Sequence, residues 1–185
     1  MIYFFQKNQM KILLTGPPGV GKTSLVKLLS EQLDCAGFYT EEVRDARNKR
    51  TGFDIVSVGT GQRGTLARVD TRVKGPRVGQ YTVTLAEFES LALPSLSLHR
   101  CESAKVLVID EIGKMESFSG RFSSLVRQVF SGDHYQGDIV ATIPSKFDSL
   151  SLVKEIVSRG DTELIEVTKS NRDELRTVLL EKLSP

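Results

Sequence analysis

Residues 16 to 23 read GPPGVGKT: Gly16, Pro17, Pro18, Gly19, Val20, Gly21, Lys22 and Thr23. The run satisfies G-x-x-x-x-G-K-[ST], and each part has a physical task. Gly16, Gly19 and Gly21 let the backbone turn successive N–H groups inward, toward a polyanion. Lys22 stands where an ammonium reaches the outer phosphate oxygens of a triphosphate, and Thr23 offers a hydroxyl to Mg2+. Further along, VLVIDEIGKME spans residues 106 to 116. An apolar run ending in Asp110 delivers a carboxylate to the end of a strand, where it can share the metal with Thr23. Glu111 adds a second carboxylate one position on, suited to orient or activate a water in line with a terminal phosphate.

The elements that must position these groups are legible on either side. Lys11 to Thr15 (KILLT) reads as a strand entering the glycine turn, and Leu25, Leu28, Leu29 and Leu33 place one apolar stripe on a helix leaving it. A strand, an anion-cradling turn and a helix whose positive end faces the same anion form the local unit. Val106 to Ile109 is apolar without interruption, as in a strand buried on both faces of a parallel sheet. Downstream, helices are expected around Phe122 to Val129, Val153 to Val157 and Leu175 to Leu183, with strands at Ile139 to Thr142 and Leu164 to Val167. Gly160 is expected to end the second of these helices, and Ser170 or Asn171 to start the third. Between the glycine turn and the VLVI strand, Ala36 to Val43, Phe53 to Val58 and Gln80 to Leu85 read as strands of a β-rich block. Thr84 and Glu87 have capping-box spacing for a helix that Pro94 bends or ends. Strands alternating with helices predict a parallel sheet covered on both faces.

Length and composition bound the rest. The chain has 185 residues, is 39% hydrophobic and 26% charged, and carries a formal net charge of +2, values of an ordinary globular domain rather than a disordered or fibrous chain. No apolar stretch approaches a membrane span, and Met1 to Phe5 is too short for the core of a secretory signal. Residues 1–10 read as an N-terminal extension and 11–185 as one domain, with a β-rich insertion over about 36–85. Cys35 and Cys101 are far apart, and His99 and His134 lack partners at zinc-ligand spacing, so structural zinc is not expected and a reducing cytoplasm fits. Between Arg44 and Arg77 stand nine Lys or Arg against three Asp. One arginine of this block, with Arg63, Arg68 and Arg77 as candidates, could act in cis on the transferring phosphoryl group. Only Phe53 and Tyr81 supply rings near the block, so a nucleic-acid partner is not expected.

Several segments together carry a resemblance: GPPGVGKTSL, GFYTEEVR (37–44), GFDIVSV (52–58), RVGQYTV (77–83), VIDEIGKME (108–116), ATIP (141–144) and VTKSNRDEL (167–175). From Lys11 onward the chain resembles the small P-loop nucleoside-triphosphatase family that includes thermophilic prokaryotic enzymes and the vertebrate cancer-related nucleoside-triphosphatase. The resemblance implies a three-layer αβα P-loop fold of RecA-like or AAA-like type, with a mostly parallel sheet and an inserted antiparallel segment. It implies Mg2+-dependent hydrolysis of nucleoside triphosphates to diphosphates with broad tolerance of the base: ATP, GTP, CTP, UTP and TTP alike. It puts phosphate binding on Gly16 to Thr23, metal on Thr23 and Asp110, and the catalytic base on Glu111, and draws attention to Lys114 and Glu116. Lys114 can be read as a group neutralising γ-phosphate charge, as one holding Glu111 in position, or as a surface lysine. Thr142 can be read as a hydroxyl beside the attacking water or as an ordinary strand residue. Asn171 and Arg172 fall near the base in the family, although Asn171 also suits a helix N-cap. A monomer is expected. Two other readings share the phosphate loop: a kinase of a nucleoside or small metabolite, and a nucleotide-gated switch that contacts nucleic acid or protein.

Overall fold

The computed structural model describes residues 9–97 and 103–184. His99, Cys101 and most of the N-terminal extension therefore lie outside the described residues. Nine strands among the described residues form one sheet: β1 (Lys11–Thr15), β2 (Cys35–Arg44), β3 (Arg50–Ser57), β4 (Arg63–Arg68), β5 (Arg77–Val78), β6 (Tyr81–Val83), β7 (Val106–Ile109), β8 (Asp138–Thr142) and β9 (Glu163–Glu166). Their spatial order is β5-β6-β4-β3-β2-β7-β8-β1-β9. Five α-helices among the described residues accompany them: α1 (Lys22–Gln32), α2 (Leu85–Ser95), α3 (Gly120–Ser131), α4 (Ser151–Val157) and α5 (Arg172–Leu183), with one 3-10 turn at Glu116–Phe118.

The sheet is mixed rather than mostly parallel. β2, β7, β8, β1 and β9 pair in parallel, while β2, β3, β4, β6 and β5 pair antiparallel. The β-rich segment does not form a separate layer. It continues the same sheet outward from β2, which is parallel to β7 on one side and antiparallel to β3 on the other.

Successive side chains of the central parallel strands point to opposite faces of the sheet and sort the core into two clusters. Leu13, Leu107, Ile109, Ile139 and Ala141 face Phe88 of α2, Phe122 and Val126 of α3 and Val153 of α4. Ile12, Leu14, Val106, Val108 and Val140 face Leu25, Val26 and Leu29 of α1 and Leu179 of α5. Every residue of β7 is buried, as its apolar run requires.

Three local expectations change. β4 (RGTLAR) is a full strand that its sequence did not announce, because Arg63 and Arg68 are neutralised by Asp54 of β3. Leu85 opens α2 instead of ending a strand. Thr84 caps α2 without a side-chain hydrogen bond, and its N–H, which Glu87 would take in a capping box, pairs instead with the Leu66 carbonyl. No helix among the described residues is long and apolar enough to cross a membrane.

Candidate functional site

A cleft of about 1000 Å3 opens at the C-terminal ends of the parallel strands. The loop after β1 forms one wall. Gly16 has φ +142°, and a Cβ there would lie 2.4 Å from the Val167 carbonyl oxygen, so only glycine lets the loop pass this close to the β9–α5 connection. Gly21, at φ +117°, is the N-cap of α1, leaving the first N–H groups of that helix directed at the cleft. The Lys22 ammonium folds back on the carbonyls of Gly16 (2.8 Å) and Pro17 (3.4 Å). Burial lowers its pKa, and the carboxylates of Glu111 and Asp110 oppose that shift.

Asp110 follows β7 and is 1% exposed. Its Oδ2 accepts hydrogen bonds from Thr23 Oγ1 (2.9 Å), Thr40 N (3.0 Å) and Thr40 Oγ1 (2.9 Å). Its Oδ1 accepts one from Thr142 Oγ1 (2.8 Å). Four donors from two strands and a helix thus fix one desolvated carboxylate. The glycine loop and the acidic strand tip, 87 residues apart, meet directly through Thr23 and Asp110.

Glu111 lines the same cleft and sits at φ +73°, a left-handed conformation that costs a non-glycine residue about 1–3 kcal/mol and must be held in place. The latch is Thr142: its hydroxyl oxygen accepts from Glu111 N (2.9 Å) while its proton goes to Asp110. The Thr142 carbonyl then takes the Ile112 N–H. Thr142 therefore sets the geometry of both carboxylates, and its hydroxyl is spent on them. The Glu111 carboxyl is open at the cleft surface yet crowded by protein, and that crowding, then Asp110, pushes its pKa up while Lys22 pulls it down. Glu116 is 2% exposed, accepts the Gly113 N–H (3.1 Å), and is pushed well above the usual carboxylate range by burial and by Glu111.

The other sequence-derived candidates fall in different places. Lys114 is exposed on the turn after Glu111 and is not part of the cleft lining. Asn171 spends its amide on its own loop, accepting from Thr168 N (2.8 Å) and donating to the Glu166 carbonyl (2.8 Å). Arg172 passes over the phosphate loop, its Cδ 3.7 Å from where a Cβ on Gly21 would sit. Arg63 is bound by Asp54 and Glu41, and Arg68 by Asp54 and the Phe53 carbonyl. Arg77 is exposed on β5. The arginine that lines the cleft is Arg50, tied to Glu42 (2.7 Å) and to the Tyr81 hydroxyl (2.9 Å) and lying 5.0 Å from the Phe53 ring centroid. Thr40, Lys27 and Lys146 also line it without having been singled out. Thr40 had one signal, a polar residue sharing the parity of buried Phe38.

Residues 11–180 match the model of a protein family described as NTPase. The chain belongs to this family. It is a nucleoside-triphosphate hydrolase. It is 48% identical over 178 residues to the human cancer-related nucleoside-triphosphatase, covering 89% of this chain and 91% of that one. The crystal structure of THEP1 from Aquifex aeolicus superposes with a TM-score of 0.83 at 42% identity, over 95% of this chain and 100% of that one. The solution structure of a human cancer-related nucleoside triphosphatase gives 0.77 at 44% identity, over 95% and 97%. The NTPase thus shares its mixed-sheet α/β architecture with solved relatives along nearly its whole length.

Proposed function

We propose that the cleft binds the polyphosphate of a nucleoside triphosphate together with Mg2+ and directs water at the terminal phosphorus, with little preference among bases. The observation that carries this reading is the 2.9 Å contact between Thr23 and Asp110. It brings a phosphate-cradling loop and an acidic strand tip to one point of a three-layer P-loop fold.

The residues suit the metal. No group of three or more His, Cys, Asp or Glu able to hold an ion occurs among the described residues. Mg2+, however, is commonly held by one or two protein oxygens plus substrate phosphates and water. Thr23 donates its proton to Asp110 and keeps its lone pairs free; these two residues would hold the ion. Bound there, Mg2+ would neutralise charge on the β- and γ-phosphate oxygens.

The chain's own groups supply the rest. Lys22 exchanges the loop carbonyls for phosphate oxygens and stabilises the charge that develops on the leaving diphosphate. Glu111, raised toward the range where a carboxylate is an effective base, accepts the proton of the attacking water. Its latched backbone aims it before substrate arrives. Arg172 offers a flat guanidinium that stacks on any base, and Asn171 keeps its loop in shape, an arrangement suited to ATP, GTP, CTP, UTP and TTP alike. This reading needs no group from a second subunit, as expected of a monomer, and the cysteine usage suits the cytoplasm.

The test is Glu111→Gln. The amide cannot take the water's proton, so turnover should fall about 10²- to 10⁴-fold while labelled ATP with Mg2+ still binds. In the parent, label from the γ-position should appear as inorganic phosphate without any acceptor. Parent-like hydrolysis by the variant would remove Glu111 from the role of base.

A further inference from the structure

The cations between Arg44 and Arg77 are scattered in sequence, but the sheet gathers them. β2 runs parallel to β7, so its end at Arg44 lies at the same sheet edge as Asp110. Residues 45–49 turn at that edge into β3. Arg68 ends β4 opposite Gly52 and Thr82, and Thr82 pairs with Arg77. The Val69 N–H bonds the Thr51 carbonyl and the Val83 N–H bonds the Pro76 carbonyl, so the connection from 69 to 76 follows the same edge.

Arg44 and Arg50 are spent on Glu42, and Arg68 on Asp54. Arg47, Lys49, Arg72, Lys74 and Arg77 are exposed and form no ion pair among the described residues. The acids among them are Asp45 and Asp70; Asp45 accepts the backbone N–H groups of Arg47 and Lys49 (2.9 Å each) instead of their side chains. Glu42, Arg50 and Phe53 line the cleft and border this edge, so the positive surface is continuous with the mouth of the nucleotide site.

We propose that this edge is a docking surface for nucleic acid, contacted through its phosphate backbone. The scarcity of aromatic rings argues against stacking on unpaired bases; it does not bear on phosphate contacts, which need only accessible cations. A duplex fits such a surface better than a single strand. An anionic membrane is disfavoured because Val73, 49% exposed, is the one large exposed apolar side chain identified on this segment, too little to insert into a bilayer interface.

Fluorescence anisotropy of a short labelled DNA duplex with the full chain tests this, without nucleotide present, so the outcome is independent of the hydrolytic mechanism. Five phosphate contacts give a log–log salt slope of roughly −4.5, a loss of about 500-fold in affinity between about 50 and 200 mM salt. In the variant R47E/K49E/R72E/K74E the slope should fall toward about −1 and affinity by at least roughly 100-fold at low salt. Basal ATP hydrolysis should remain, since none of the four lines the cleft, and that activity also reports an intact fold. Absence of duplex binding by the parent at low salt overturns the proposal, as does parent-like binding by the variant. Binding of anionic vesicles by a parent that ignores duplex would assign the surface to membrane instead.

Discussion

Replacing Thr142 by Val isolates the latch between the two carboxylates. The side chain is 1% exposed, as is Asp110, and valine fills nearly the same space while neither donating nor accepting. Two bonds are lost: one to a buried charge and one to a backbone N–H. A bond to a charge is worth about 1.5–3 kcal/mol and the neutral one about 1. Asp110 keeps its donors from Thr23 and Thr40, which favours the lower end, and the added methyl recovers about 0.8 kcal/mol. The net destabilisation is about 2 kcal/mol, or roughly 4–8 °C in Tm for a chain of this length. Activity should suffer more than stability. With its N–H released, Glu111 is free to leave its strained φ, and a carboxylate displaced by about 1 Å costs on the order of 100-fold in turnover. Thermal unfolding together with steady-state hydrolysis measures both effects, and Thr142→Ser should return both toward the parent. Valine at parent-like turnover, or serine no better than valine, would refute the latch.

Two further substitutions probe other buried charged side chains. Glu116→Gln keeps an acceptor for the Gly113 N–H but removes a carboxyl whose ionisation folding disfavours. Because the folded-state pKa lies above the ordinary value of 4.5, the parent loses stability as pH rises from about 4.5 through the folded value; the variant's Tm relative to the parent should therefore be higher above that window than below 4.5. An equal Tm difference on both sides of that window would show that the buried carboxyl carries no such cost. Lys11→Met removes a 6% exposed ammonium that donates to the Phe130 carbonyl (2.8 Å) and pairs with Asp161 (2.6 Å), at a cost of about 1–3 kcal/mol in urea unfolding. Arg159 and Lys11 hold Asp161 below its ordinary 3.8, so that contribution is present above this value and fades as pH falls beneath it. The variant's acid limb should be shallower than the parent's, and an unchanged limb would discount the pair.

Much of the parallel half was legible because burial on both faces writes itself as uninterrupted apolar sequence. Val106 to Ile109 and Ile139 to Thr142 could hardly be anything else. The antiparallel half hid β4, since RGTLAR becomes a strand only when Asp54, nine and fourteen residues away, neutralises its arginines. Edge strand β9 was placed one residue late; Leu164, the apolar residue that suggested it, is 45% exposed.

The site divides along the same line. The phosphate loop was readable because its backbone conformations demand glycine at fixed spacing, and Asp110 and Glu111 because the strand before them is unmistakable. Thr40 was not, although it gives Asp110 two of its four hydrogen bonds: its role depends on β2 lying beside β7, a pairing between segments about 70 residues apart. The same limit explains the arginines. A sequence counts cations without showing which acids face them, and Asp54 takes Arg63 and Arg68 out of contention while Glu42 and Tyr81 hold Arg50 at the cleft. β2 is where these facts join. Its parallel side delivers Thr40 to Asp110 and its antiparallel side delivers Glu42, which ties Arg50 in place. The extension beyond β2 is therefore part of the chemistry's frame, and perturbing its register should be felt at Asp110 before it is felt in the core.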